Sequence, residues 1–301
     1  MISRVVKLYI LFSILLSLCL IVLIYKPPGS ISREPYTERQ VYYFSNGGHY
    51  GDHILNLKFF YNISEHLKQN NIFIVYYYSD HVKNVGELER YVDKECVELE
   101  ISYTDVRSGS VNEIWMRNTV DNISAWGNFS QFFVHLYSYI LRTIKLDDKG
   151  INTSLFQKED YLLDIHEKLD DKFKNVDILI LNAAPQSGQL TAYNKGQFDQ
   201  LALALSKKYR IVTTSLVDAS IPCSMEAGLA LQDIGAISTH AKYVFGVNSG
   251  PLIPCFNSHA KANVRKWILL DNSPFKFDDI NYSISSTIPD INELLSQINI
   301  E

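Results

Sequence analysis

The sequence predicts an α/β protein of two Rossmann-like domains facing across a cleft, preceded by an N-terminal transmembrane helix. Three observations predict it. One uncharged apolar span lies near the amino terminus, two successive series alternate strand-like with helix-like runs, and glycine-, serine- and asparagine-rich turns follow the strands. The chain has 301 residues, a formal net charge of -5 and 47% hydrophobic residues. That is enough for one large domain or two of ordinary size. The mild acidity offers no clustered basic face, so nucleic acid is not an expected partner.

The apolar span is Leu8 to Tyr25, "LYILFSILLSLCLIVLIY", flanked by Arg4 and Lys7 before it and by Lys26, Pro27 and Pro28 after it. About 18 residues at 1.5 Å rise reach roughly 27 Å, enough to cross a thin bilayer. A cleaved signal peptide is the rival reading, but no small-x-small cleavage site precedes Pro27. The expectation is a signal anchor at 1–26 and a proline- and charge-rich stem at 27–39. Asn62, Asn122, Asn128, Asn152 and Asn281 each open an N-x-S/T sequon. With the anchor, they point to a single-pass, type II protein whose globular part is lumenal or extracytoplasmic. Cys96, Cys223 and Cys255 are dispersed and form no CxxC. Cys223 and Cys255 either pair in a lumenal body or stay as buried thiols.

The first α/β series runs over 40–172. "QVYYFS" is a strand, 52–69 a helix with apolar Ile54, Leu57, Phe60, Tyr61 and Ile63, and "NIFIVYYY" a buried strand. "VGELERYV" is helical, "VELEI" and "VNEIWM" are short strands, and 129–144 is a strong helix. A polar helical stretch at 147–172 carries the chain to a new start. The second series, 173–301, opens on "NVDILILNAA", a continuous apolar run of the parallel-strand type. Helix 194–208, strand 209–216, helix 230–241, strand 243–249, a short helix after Gly250, strand 266–271 and helix 289–298 follow.

Ligands bind at the carboxyl ends of parallel strands, which directs attention to four loops: "SNGGHYGDH", "NAAPQSGQ", "SLVDASIPC" and "GVNSGPL". In the first, Gly47, Gly48 and Gly51 allow positive φ and a tight turn. Asp52 opens a helix there. It is either an N-cap, worth about 1 kcal/mol, or a general base whose pKa is raised by burial. His49 and His53 are alternative bases. Ser187, Gly188 and Gln189 in the second loop, and Asn248, Ser249 and Gly250 in the fourth, suit a phosphate-bearing ligand at strand ends. The absence of GxGxxG, GxxxxGK[ST] and GxSxG sets aside dinucleotide oxidoreductases, P-loop enzymes and serine hydrolases of that type. With no D-x-D in the body and no HxH or HExxH, no metal is expected.

"GGHYGDHILNLKFFYNI" and "LQDIGAISTHAKYVFGVNSGPLIPCFN" together resemble glycosyltransferase family nine, the ADP-heptose lipopolysaccharide heptosyltransferases, in order and spacing. The resemblance implies the GT-B architecture, with an N-terminal acceptor domain and a C-terminal donor domain. It implies inverting transfer from a nucleotide sugar to a glycan or other hydroxyl acceptor, without cofactor or metal. Asp52 takes the place of the family's catalytic aspartate, and Ser249 and Gly250 match its diphosphate turn. Asn248 stands where the family has an aspartate. The family's lysine after the first strand of the second domain has Lys195 as its nearest counterpart, and Asp218 joins the donor-binding set. The membrane anchor is foreign to usual members. A non-catalytic sugar- or nucleotide-binding relative of the same fold is the second reading, favoured by Asn248 and the displaced lysine.

Overall fold

The computed structural model describes residues 39–101, 111–114, 128–185, 190–272 and 276–298. Met1–Arg39 and Gln40–Glu301 are separate units. The expected anchor at 8–25, the stem apart from Arg39, Asn122, and the loop residues Ser187, Gly188 and Gln189 lie outside the described residues. Among the described residues, no helix is long and apolar enough to cross a membrane.

Gln40–Glu301 contains two parallel sheets. In the first, β1 (Gln40–Ser45), β2 (Ile72–Tyr78), β3 (Val97–Ile101) and β4 (Val111–Glu113) lie in the order β3-β2-β1-β4. In the second, β5 (Ile178–Leu181), β6 (Ile211–Thr213), β7 (Tyr243–Val247), β8 (Lys266–Leu270) and β9 (Tyr282–Ser285) lie in the order β6-β5-β7-β8-β9. Each order reverses direction once, beside β1 in the first sheet and between β5 and β7 in the second. The loops after β1, β5 and β7 therefore leave their sheets at the switch points where ligands bind.

Among the described residues, the helices of the first half are α1 (Tyr50–Asn62), α2 (Ser64–Gln69), α3 (Val85–Glu89) and α4 (Phe129–Thr143). Those of the second are α5 (Tyr161–Lys168), α6 (Lys195–Ser206), α7 (Leu231–Ser238), α8 (Ser258–Asn263) and α9 (Ile291–Gln297). A short 3-10 helix, Gly250–Cys255, joins β7 to α8. Strand alternation divides β5 between two cores. Leu179 and Leu181 join a cluster that also holds Phe44, Ile54, Phe59, Phe133 and Trp267, so it runs through both halves. Ile178 and Ile180 face the opposite way, with Phe198, Phe245, Ile268 and Leu294. The second sheet is thus covered on both sides, as a parallel sheet requires.

Several expectations need correction. The helix expected at 52–69 begins at Tyr50 and breaks at Ile63 into α1 and α2. The stretch 147–172 is helical over Tyr161–Lys168 and, as a 3-10 turn, from Asp171, while 147–160 is irregular. That irregular run enters the second half by pairing Gln157 with Asn257. Strand β9 was not anticipated, because "YSIS" alternates without a strong apolar signal. Cys96, Cys223 and Cys255 are buried, and none forms a disulfide among the described residues. Of the sequons, Asn152 and Asn281 are exposed, whereas Asn128 is buried and caps α4 by accepting from the Gln131 N–H.

Helix α1 crosses from one half to the other through a buried charge. Lys58 Nζ lies 2.8 Å from Glu159 Oε2, with side chains 2% and 1% exposed. It donates to the carbonyls of Ile253 (3.4 Å) and Phe256 (3.0 Å), at the end of the 3-10 helix. Tyr161 Oη donates to the other Glu159 oxygen at 2.5 Å. Burial pushes the Glu159 carboxyl up, and Lys58 opposes that rise. Lys58→Met should cost about 3–5 kcal/mol, since it strands a buried carboxylate. Lys58→Met combined with Glu159→Leu should regain most of the loss. Urea unfolding of the single and double variants checks this; a double variant as unstable as the single would contradict the pairing.

Candidate functional site

The turn after β1 is built by hydrogen bonds that sequence spacing does not show. The Asn46 N–H donates to Tyr77 O at 3.2 Å, continuing the β1–β2 ladder. Asn46 Oδ1 then accepts from the Gly48 N–H at 2.7 Å, closing an Asx-type turn. From the end of β2, Ser79 Oγ donates to Gly48 O at 3.0 Å. The Ser79 N–H donates to His53 Nε2 at 3.3 Å. Nε2 is therefore an acceptor, which leaves the ring hydrogen on Nδ1, 3.0 Å from Tyr76 Oη. His53 is fully buried, and burial pushes its pKa down to about 4. It stays neutral near pH 7 with both nitrogens engaged, and in this arrangement it supports the turn from beneath.

Asp52 is not the cap residue of α1. His49 holds that position, and Asp52 stands three residues in, where its Oδ2 accepts from the His49 N–H at 2.7 Å. Burial pushes the Asp52 carboxyl up to about 6, against the opposing effect of the His49 N–H. A carboxylate with this pKa exchanges a proton close to neutrality. Gly48 serves it by small size rather than by backbone angle. Among the described glycines, positive φ occurs at Gly150, Gly228 and Gly246, and not at Gly47, Gly48 or Gly51. A Cβ on Gly48 would lie 2.5 Å from Asp52 Oδ2. His49 is exposed, and its ring stacks on His81 with centroids 5.7 Å apart. Neither His81 nor Ser79 stood out in the sequence, because both reach the site from β2 through contacts about 30 residues apart.

The turn after β7 meets the one after β1. A Cβ on Gly51 would sit 3.0 Å from Ile253 Cγ1 and 3.6 Å from Gly250 Cα. The bare backbone at 51 lets the start of α1 lie against Gly250. On its other side Gly250 is open: a Cβ there would meet nothing within 4 Å. Ser249 Oγ turns back to Val247 O at 3.4 Å. Asn248 is buried, and its amide donates to Asp271 Oδ2 at 2.5 Å. The structure thus sets Gly51, the neighbour of Asp52 and at the start of α1, against Gly250 and Ile253, with His53 buried beneath the turn after β1.

Lys195 and Asp218 are engaged elsewhere. Lys195 Nζ binds both Asp199 oxygens (2.8 and 2.7 Å) and Leu216 O (2.8 Å). Asp218 Oδ1 accepts from Ser220 N–H and Oγ, at 2.8 and 2.6 Å, which holds its carboxyl below the usual range. Asn182, at the end of β5, was missed: its Oδ1 accepts from the N–H groups of Thr214 and Ser215, tying β5 to the turn after β6. A cavity of 690 Å³ lies at the opposite, amino ends of β5 and β6, lined by Lys174, Tyr209 and Arg210 among others. No set of three or more His, Cys, Asp or Glu side chains among the described residues could hold a metal ion.

The raised Asp52 pKa has a thermodynamic signature. Because the native carboxyl binds its proton more tightly than the unfolded one, its contribution to stability is full below about pH 4 and is lost as pH rises through about 6. Asp52→Asn should remove this loss. The stability of wild type relative to Asp52→Asn should fall as pH rises from about 4 to 6, measured by urea unfolding at each pH. A constant difference across that window would contradict a raised pKa.

No protein-family model matches the sequence, and no curated protein matches it. Among solved structures, the chain is similar to the crystal structure of a glycosyl transferase family 9 protein from Veillonella parvula DSM 2008. The identity is 12% and the TM-score 0.46, over 87% of this chain and 92% of that one.

Proposed function

We propose that the protein is a membrane-anchored, metal-independent, inverting glycosyltransferase that moves a sugar from a nucleotide-sugar donor to a glycan or other hydroxyl acceptor. The observation that carries this reading is the meeting of Asp52, with its raised pKa, and the open Gly250 turn at facing strand ends. The acceptor hydroxyl sits at Asp52. Its oxygen attacks the anomeric carbon while Asp52 takes the proton, and the bond to the nucleoside diphosphate breaks on the opposite face. The leaving diphosphate occupies the open side of Gly250. Ser187, Gly188 and Gln189 belong to the same donor side in this reading, as residues of the loop after β5. A base titrating at about 6 is ionised near neutrality yet basic enough to accept a proton as the transition state forms.

A second reading, a non-catalytic sugar- or nucleotide-binding relative, draws on Lys195. Its ammonium is occupied by Asp199 and Leu216, so no cation from that position reaches a diphosphate in this arrangement. Asp52→Asn separates the two readings. The amide oxygen can still accept from the His49 N–H, but it cannot take a proton. Turnover should fall by a factor of about 10² to 10⁴, with donor affinity little changed. Near-normal turnover in this variant would move the base to His49, and donor binding without turnover in wild type would favour the second reading.

The anchor at 8–25 and the lumenal or extracytoplasmic placement of 40–301 complete the proposal, resting on the uncharged apolar span and the sequons. Expression in a eukaryotic secretory system should add endoglycosidase-sensitive mass at the exposed Asn152 and Asn281. Unglycosylated protein that is digested by protease outside intact microsomes would show the opposite orientation.

A further inference from the structure

The amino ends of β5 and β6 meet two turns rich in cations, in a chain whose net charge is -5. "DDKFKN", 170–175, leads into β5, and "SKKYR", 206–210, leads into β6. Between them lies the cavity of 690 Å³, lined by Lys172, Lys174 and Arg210, with Asp171 the one carboxylate in its lining. The acids near the lysines are solvated. Asp171, 3.5 Å from Lys174 Nζ, is 100% exposed, and Asp170, 3.8 Å from Lys172 Nζ, is 76% exposed. Exposed pairs of this kind are weak and yield to a better partner. Lys174 Nζ also donates to Glu167 O at 2.9 Å, which uses one of its three hydrogens. The Arg210 backbone N–H is held by Asp177 Oδ2 at 2.9 Å, and Lys242 takes Asp177 Oδ1 at 2.7 Å. Among the described residues the Arg210 guanidinium has no hydrogen-bond or ion-pair partner. A second feature opens on the same cavity. Strand β6 is the edge of its sheet, and the chain returns along it: the Thr213 N–H donates to Pro222 O and the Ser224 N–H to Thr213 O, both at 2.9 Å. The bridge to the returning segment is at Thr213 and Cys223. Ile211, two residues earlier, turns its N–H and C=O to the same outer side, where no described residue pairs with them. Ile211 and Ser220 both line the cavity.

We propose that this cavity is a second binding site, for a phosphomonoester, at the strand ends opposite those of Asp52 and Gly250. Three cations against one solvated carboxylate leave a surplus of two positive charges in the lining. A phosphomonoester carries about -1.5 to -2 near pH 7 and matches that surplus, whereas a carboxylate brings a single charge. The guanidinium of Arg210 suits two phosphate oxygens at once, and the lysines add point charges. The unpaired edge at Ile211 offers one donor and one acceptor beside the cations, which suits a hydroxyl of the group that carries the phosphate. A sugar phosphate and a nucleoside monophosphate share this chemistry. The inference stands apart from the glycosyltransferase reading, because none of its residues belongs to the turns after β1, β5 or β7.

Titration calorimetry on the whole chain tests this with glucose 6-phosphate and AMP, and with glucose, adenosine and inorganic phosphate as comparisons. At least one ester should bind about tenfold or more tightly than its unphosphorylated parent, and the tighter ester tells sugar from nucleoside as the carrier. Arg210→Gln should weaken that ester by about tenfold, and Lys174→Gln by a similar factor, as expected for loss of a charge-assisted hydrogen bond. Asp52→Asn should leave the affinity unchanged. Arg210 and Lys172 are exposed, so Arg210→Gln and Lys172→Gln should unfold in urea as wild type does, and they keep the test open should Lys174→Gln fail to fold. Esters that bind no better than their parents overturn the proposal. So does an ester held equally by wild type and Arg210→Gln, which would place it in the other cleft, and so does inorganic phosphate that binds as tightly as both esters.

Discussion

The geometry of the site depends on one buried cation. Lys58 lies on the face of α1 that would ordinarily carry an apolar residue, and its ammonium is shared among Glu159 and the carbonyls of Ile253 and Phe256. Those carbonyls end a 3-10 helix in the protein interior, where an unpaired C=O is costly. Lys58 donates to the Phe256 carbonyl and adds a second bond to the Ile253 carbonyl, which already accepts from the Phe256 N–H, and Glu159 neutralises Lys58. The consequence is positional: α1 is held against the Gly250–Cys255 turn, so its first residues cannot drift from Gly250. Gly51 permits the approach by having no side chain. The contact between the two candidate turns therefore follows from a charge buried about two helical turns along α1 from Gly51.

Around that contact the structure places polar groups where burial changes their chemistry. Asn46, His53, Tyr76 and Ser79 form a hydrogen-bonded support under the turn after β1. A charged His53 would sit next to Asp52 and draw its pKa down. Burial keeps the imidazole neutral, and Asp52 retains the raised pKa that proton exchange near neutrality requires. Burial at the carboxyl ends of β7 and β8 likewise strengthens the Asn248–Asp271 contact. Fold and chemistry meet here: the strand ends that supply the ligand loops also supply the desolvation.

The strands and the main helices were legible because apolar periodicity is local. Residues 40–45, 72–78, 178–181 and 243–247 carry β-branched and aromatic runs bounded by turn residues. The turns that hold Asp52 and Gly250 were legible because glycine-rich stretches after apolar strands mark turns. Long-range pairing was not. Lys58 reads as a polar residue on a helix, and its burial is decided by partners about 100 and 200 residues away. Ser79 and His81 come from the turn after β2, and Asp271 from the turn after β8. The glycine argument gave the wrong cause, since Gly48 and Gly51 answer to close contact rather than to φ. Lys195 was placed on the donor side only by the family resemblance, and an i,i+4 partner, Asp199, binds it.

The central claim is inverting transfer with a side chain as base and no metal. The most direct measurement needs no knowledge of the acceptor. The whole chain is incubated with nucleotide sugars in the presence of a chelator, and slow transfer to water is followed by proton NMR. The anomeric signal of the first free sugar reports the stereochemistry before it equilibrates. The account predicts the anomer opposite to that of the donor, formed at an unchanged rate with chelator. Retention of configuration, or release that stops when divalent metal is removed, would contradict it.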